Sequence, residues 1–237
     1  MNPAGRRGAA VLAVFVVALA VHLLVGWDDR DNPFRSTPVS DALSYDRWAH
    51  RLAAEGLAAE PVFHQAPAYP LVLAAIYRVA GERNPLPAAI LLQGILGAAA
   101  IALLVPLGRC YFGSTRAGIC AAAVALLHGP LLLHSLKLLP VTLAVATQAG
   151  ALAALALATL RPRPWSAALA GPAWGVAILT RTETLLIDPI CLAGSLLVRR
   201  RDLVRGPWPR LGLVGLVVAA AVVQPATVHN VRRGDRV

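Results

Sequence analysis

The chain has 237 residues, of which 57% are hydrophobic and 14% charged. With a mean hydropathy of +0.64, this excludes an ordinary soluble domain, in which about 25% of residues are charged. The formal charge of +10 raises nucleic acid as a partner, but the basic residues stand at the ends of apolar runs without interleaved stacking aromatics, which excludes nucleic acid and points to membrane topology.

The first element is "AAVLAVFVVALAVHLLVGW", Ala9 to Trp27, uncharged and long enough for a bilayer core of about 30 Å. Arg6 and Arg7 precede it, no small-x-small cleavage site follows, and "VGWDDRD" closes it as a membrane interface would. It therefore reads as an uncleaved helix and not a secretory signal. Asp28, Asp29 and Asp31 then enter a wet linker; they leave a divalent metal open, although adjacent acids there are usually only solvated. No other cofactor is indicated.

Residues 28–84 form the one long non-spanning segment, and a long loop among tight ones usually carries function. Within it, "SDALSYDRWAHRLAAEG" predicts a helix capped by Ser40, with Asp41 in its first turn and Gly56 at its end. Asp41, Tyr45, Trp48, Leu52 and Glu55 share one stripe, and Arg47, His50 and Arg51 the other flanks, which suits an interfacial helix with rings at headgroup depth and charges in water. A second run, "AYPLVLAAIYRVAG", contains Arg78 and is too short to span, so it reads as re-entrant or interfacial.

Further apolar runs at 85–108, 117–134, 138–160, 165–180, 185–198 and 211–228 bring the total to about seven spans in a single transmembrane domain, 1–237. The expected fold class is an all-α, polytopic helical bundle with the long first loop outside. An inside N-terminus is favoured because it puts Arg109, Arg116, Arg161, Arg163 and Arg199 to Arg201 in short cytoplasmic connections. "GPAWG" at 171–175 offers a small-xxx-small contact between helices.

Cys110, Cys120 and Cys191 have no CxxC spacing and an odd total, so neither a disulfide framework nor a zinc site is indicated. His22, His128 and His134 also lack ligand spacing and read as packing or hydrogen-bonding residues. On residue type alone, Asp41 serves as a first-turn acid favoured by the helix dipole, Arg181 pairs with Glu183, and Lys137 snorkels.

The order of "SDALSYDRWAHRLAAEG", "FHQAPAYPLVLAAIYRVAG", "LLQGILGAAAIALLVPLGRCYFG", "LAGPAWGVAILTRTETLLIDP" and "QPATVHNVRRGDRV" resembles the polytopic glycosyltransferases of the GT-C superfamily, and more narrowly its bacterial protein-mannosyltransferase-like branch. The resemblance implies inverting transfer of a sugar from a polyprenyl-phosphate donor to a lipid, glycan or protein acceptor outside the cytoplasmic membrane. By position in the motif, Asp41 becomes the catalytic base. Arg181 then serves as the cation facing the leaving phosphate, Lys137 as a second candidate, and His64, Gln65 and Tyr45 as further substrate-binding residues. Donor, acceptor and membrane lipids are the partners implied.

The sequence departs from the family in three places. Ala42 stands where a second acid commonly follows the first, Val141 stands where relatives carry Glu, and the family's chains continue past the segment at 224–237, so the resemblance covers an N-terminal part. These departures keep open a non-catalytic relative, truncated or degenerate. A transporter is the other alternative, without visible inverted repeats to support it.

Overall fold

In lipid every backbone polar group must be bonded within the protein, which limits spanning elements to helices and closed barrels. A computed structural model of the chain describes residues 3–57, 60–81, 83–160, 164–187, 189–190 and 208–234, and the elements found there are helical. They are α1 (Pro3–Asp28), a 3₁₀ turn (Asp29–Asp31), α2 (Pro33–Ser36), α3 (Asp41–Glu55), α4 (Ala68–Ala80), α5 (Leu86–Phe112), α6 (Thr115–Leu126), α7 (Gly129–Ser135), α8 (Val141–Leu160), α9 (Pro164–Thr180) and α10 (Trp208–Gly234).

Four of these helices are long and apolar enough to cross a membrane: Gly8–Asp31, Leu86–Phe112, Val141–Ala158 and Val214–Gly234. The expected span at 117–134 is two helices, α6 and α7, bent by 65°; counted as one span, they make five. The bend has a local cause. Pro130 brings no N–H to continue the ladder of α6, and His128 between the two helices is extended at φ −80°, ψ 91°. The expected span at 165–180 is α9, short for a crossing, and the one at 185–198 lies mostly outside the described residues.

The chain divides into two compact units, Met1–Glu60 with Pro67–Ala146 and Pro61–Ala66 with Thr147–Val237. In the first, helices meet through small residues, as they must where lipid removes the hydrophobic drive for association. His22 in α1 donates from Nδ1 to the Ala18 carbonyl at 2.8 Å, and its ring fills the groove over Gly94 and Gly97 of α5. A Cβ at Gly97 would stand 2.5 Å from His22 Nε2. Ala18, Ala98, Ile101 and Ala122 make a common core, and α5 and α6 cross so closely at Gly108 and Gly118 that neither position has room for a Cβ.

The second unit repeats this device. A Cβ on Gly171 would stand 2.7 Å from the Gly215 carbonyl oxygen, and one on Gly175 would stand 2.7 Å from Val222 Cβ. The small-xxx-small stretch thus seats α9 on α10. Gly171→Leu and Gly175→Leu should each destabilise the protein by about 1–3 kcal/mol through overpacking, whereas Gly150→Leu, on α8 with nothing within 4 Å of its Cβ position, should leave it unchanged. Thermal unfolding in detergent is the check.

Candidate active site

The polar segment at 40–56 folds as α3, followed by Gly56 at φ +75°, a backbone setting that favours glycine. Ser40 does not cap it as expected from the sequence. At φ +52°, ψ −128° its hydroxyl makes no bond to the first turn, and only its carbonyl takes part, accepting the first intrahelical bond from the Ser44 N–H at 3.2 Å. A serine at positive φ is strained, and such strain gathers at functional positions. Asp41, the next residue, is exposed at the helix start.

The aromatic stripe of α3 turns onto α4 rather than lying free at an interface. Tyr45 meets Tyr69 edge-on at 5.2 Å and stacks toward Trp48 at 6.4 Å, and Ala49 and Leu52 are buried. Tyr77 and Arg78 of α4 reinforce this pairing, and Arg51 ties α3 to the segment that follows it. Tyr77 donates its hydroxyl to Asp46 Oδ1 at 2.6 Å; burial first, and then the bond to Asp46, push that phenol far above its ordinary range. Arg78 donates to the carbonyls of Leu52 at 2.9 Å and Ala53 at 3.0 Å, serving acceptors that the end of a helix leaves orphaned. Arg51 binds Glu60 through both carboxylate oxygens, at 2.9 and 3.3 Å, with the Glu60 side chain only 3% exposed.

None of Asp46, Tyr77, Glu60 and Arg78 was singled out as functional by sequence. An arginine inside an apolar run was the one available signal, because such a charge needs a partner.

Lys137 also belongs to the first unit. It is exposed in the break between α7 and α8, and its carbonyl accepts from Gln93 Nε2 at 2.8 Å. Of the sequence candidates, Asp41, Tyr45 and Lys137 thus share one unit, and His64, Gln65 and Arg181 the other.

In the second unit, His64 and Gln65 are exposed on the segment 61–66, which is fastened to α10 across 167 residues of sequence. Asn230 accepts from the Phe63 N–H at 2.8 Å and donates to the Phe63 carbonyl at 3.2 Å, so one amide side chain satisfies both backbone groups of one residue as a neighbouring strand would. His229 donates from Nε2 to the Pro61 carbonyl at 2.9 Å and stacks on Phe63 at 4.5 Å. Arg181 follows the last residue of α9 and meets Glu183 at 3.4 Å, each side chain at least half exposed. A pair so wet is weak. The Glu183 carboxyl is held below its usual range, first by its own backbone N–H and then by Arg181.

Among the described residues, no group of three or more His, Cys, Asp and Glu could hold a metal ion. Asp29 accepts from Asn32 at 2.8 Å and Asp31 meets Arg30 at 3.5 Å.

Comparison with protein families matches residues 64–228 to the dolichyl-phosphate-mannose-protein mannosyltransferase family. The chain belongs to this family. It is an integral membrane protein and a membrane glycosyltransferase of the GT-C type. His64 is the first matched residue; Gln65, Lys137 and Arg181 lie inside the match, and Asp41 and Tyr45 precede it. No curated protein and no solved structure matches the chain.

The Asn230 clamp has a direct test. Asn230→Ala leaves both polar groups of Phe63 without their partner and should cost about 1–3 kcal/mol in thermal unfolding. It should also speed thiol labelling of a His64→Cys reporter. Asn230→Asp keeps the acceptor but turns a carboxylate oxygen toward the Phe63 carbonyl, so it should not restore the parent stability.

Proposed function

We propose that the chain transfers a sugar from a polyprenyl-phosphate donor to a lipid, glycan or protein acceptor on the extracytoplasmic side of the cytoplasmic membrane, with Asp41 as the base. The observation that carries this reading is the family match over 64–228, preceded by an amphipathic helix whose first residue is an exposed carboxylate. A position at a membrane face suits a reaction whose donor is anchored in lipid and whose acceptor lies in water.

The chemistry accounts for the residue type. The acceptor hydroxyl oxygen attacks the anomeric carbon as the carbon–oxygen bond to phosphate breaks, the hydroxyl proton passes to the Asp41 carboxylate, and polyprenyl phosphate departs. A single displacement inverts the anomeric centre. A carboxylate within hydrogen-bond reach contributes about 10²–10⁴-fold as a base, and a cation facing the departing phosphate stabilises the charge that develops there. Arg181 is the first candidate for that cation, having only a weak exposed partner, and Lys137 the second. His64, Gln65 and Tyr45 complete the substrate-binding set.

Ala42 bears on the number of carboxylates. It packs, partly buried, with Tyr45 against the core that includes Tyr69, Leu73 and Tyr77, where a second acid would lose part of its hydration. One carboxylate therefore carries the base chemistry at this end of α3.

Radiolabelled polyprenyl-phosphate sugars supplied to membrane vesicles provide the test. Asp41→Asn should lower kcat for transfer by about 10²–10⁴-fold at matched expression and insertion. Undiminished transfer by that variant would remove Asp41 as the base, and no transfer from any donor by the parent chain would favour the non-catalytic reading.

A further inference from the structure

We infer that Gln93 is a positioning residue that sets the stance of Lys137 relative to the α3–α4 pair, an inference that rests on the transferase reading above. Gln93 lies within α5 and is 3% exposed. A buried amide is costly unless its donors and acceptor are used, and here both ends are engaged. Its Oε1 accepts from the Tyr69 hydroxyl at 3.2 Å. Its Nε2 donates to the carbonyls of Ser135 at 3.2 Å and Lys137 at 2.8 Å.

These partners are not interchangeable packing groups. The Ser135 and Lys137 carbonyls stand at the break between α7 and α8, where the helical ladder stops and Pro140 brings no N–H to resume it. The Lys137 carbonyl also accepts from the Leu139 N–H at 2.7 Å, in a tight turn. Gln93 therefore fixes the peptide plane that follows Lys137, and with it the direction in which the exposed ammonium leaves the backbone.

On its other side, Gln93 grips Tyr69, which is 2% exposed and lies edge-on to Tyr45, one turn from Asp41. Burial raises the Tyr69 phenol well above its ordinary range, so the hydroxyl stays a donor. Gln93 thus links, through Tyr69 of α4, the helix bearing the candidate base to the turn bearing a candidate cation. All of these groups lie within one compact unit.

An ammonium is a compact point charge on a flexible stem, so where its backbone stands decides which anion it reaches. With Gln93 replaced by an apolar residue of similar size, the turn loses two of its bonds and Lys137 is displaced. Misplacement by about 1 Å can cost an enzyme on the order of 10²-fold in rate. Because the displaced group acts on departing phosphate, the loss should fall on kcat more than on the donor KM.

The experiment is a double-variant cycle on transfer from a radiolabelled polyprenyl-phosphate sugar by the full chain. Gln93→Leu should lower kcat about tenfold in the parent background and cause no further loss in a Lys137→Ala background, since a residue acting through Lys137 has nothing left to position. Tyr69→Phe, which keeps both carbonyl bonds, guards against simple misfolding and should lower kcat less than Gln93→Leu. Unchanged kcat in Gln93→Leu, or losses that multiply in the double variant, would overturn the inference.

A second readout does not depend on transfer. In a chain whose three native cysteines are replaced by alanine, Lys137→Cys should change its rate of labelling by a soluble maleimide severalfold when Gln93→Leu is added. If the parent chain transfers no sugar, the transferase reading fails, and this rate alone decides whether Gln93 holds the turn; an unchanged rate overturns it.

Discussion

The hydrogen bond between Tyr77 and Asp46, at 2.6 Å, ties α3 to α4 across 31 residues of sequence. Its carboxylate is only 18% exposed, and a polar group so far out of water needs a hydrogen-bond partner there. The α3 helix is too polar to enter lipid and its apolar stripe too narrow to hold it in place alone. Docked on α4 by Tyr45, Ala49 and Leu52, it gains a fixed axis, and Arg78 closes its last carbonyls. That axis leads back to Asp41 at the first turn. The rest of the proposed chemistry depends on this geometry, because a base on a drifting helix cannot meet an acceptor hydroxyl in the right place.

Within each unit, the spanning helices rely on close approach rather than hydrophobic burial. Gly97 admits the His22 ring, Gly108 and Gly118 let two backbones nearly touch, and Gly171 and Gly175 seat α9 on α10. Where a helix breaks, polar side chains take over the work of the lost ladder. Gln93 serves the carbonyls beside Lys137, and Asn230 serves both polar groups of Phe63. In both places one amide side chain holds an irregular stretch of backbone.

Much of this architecture was legible in the sequence because lipid imposes simple rules. Length and hydropathy located α1, α5, α8 and α10; a polar stripe ending in Gly56 gave α3 its bounds; and two glycines four apart marked the contact of α9. The remainder depends on contacts that sequence separation hides. Nothing in "SYDRW" says that Asp46 will meet Tyr77, 31 residues on, or that Asn230 will grip Phe63. Pro130 in "HGPL" could have suggested the bend between α6 and α7, but the length of the run outweighed it. Ser40 was expected to cap through its hydroxyl because serine commonly does, yet at positive φ the hydroxyl makes no such bond. Gln93 stood in plain sight in "LLQG" as a polar residue within a span, which is by default a sign of a partner.

The central claim is that the N-terminal end of α3 is where the donor's sugar reacts. A cryo-electron microscopy structure of the full chain with a non-transferable polyprenyl-phosphonate sugar bound tests this most directly. The account predicts the sugar beside α3, with room between its anomeric carbon and the Asp41 carboxylate for one acceptor hydroxyl. Density for the sugar beyond reach of Asp41, with no acceptor path between them, would contradict it.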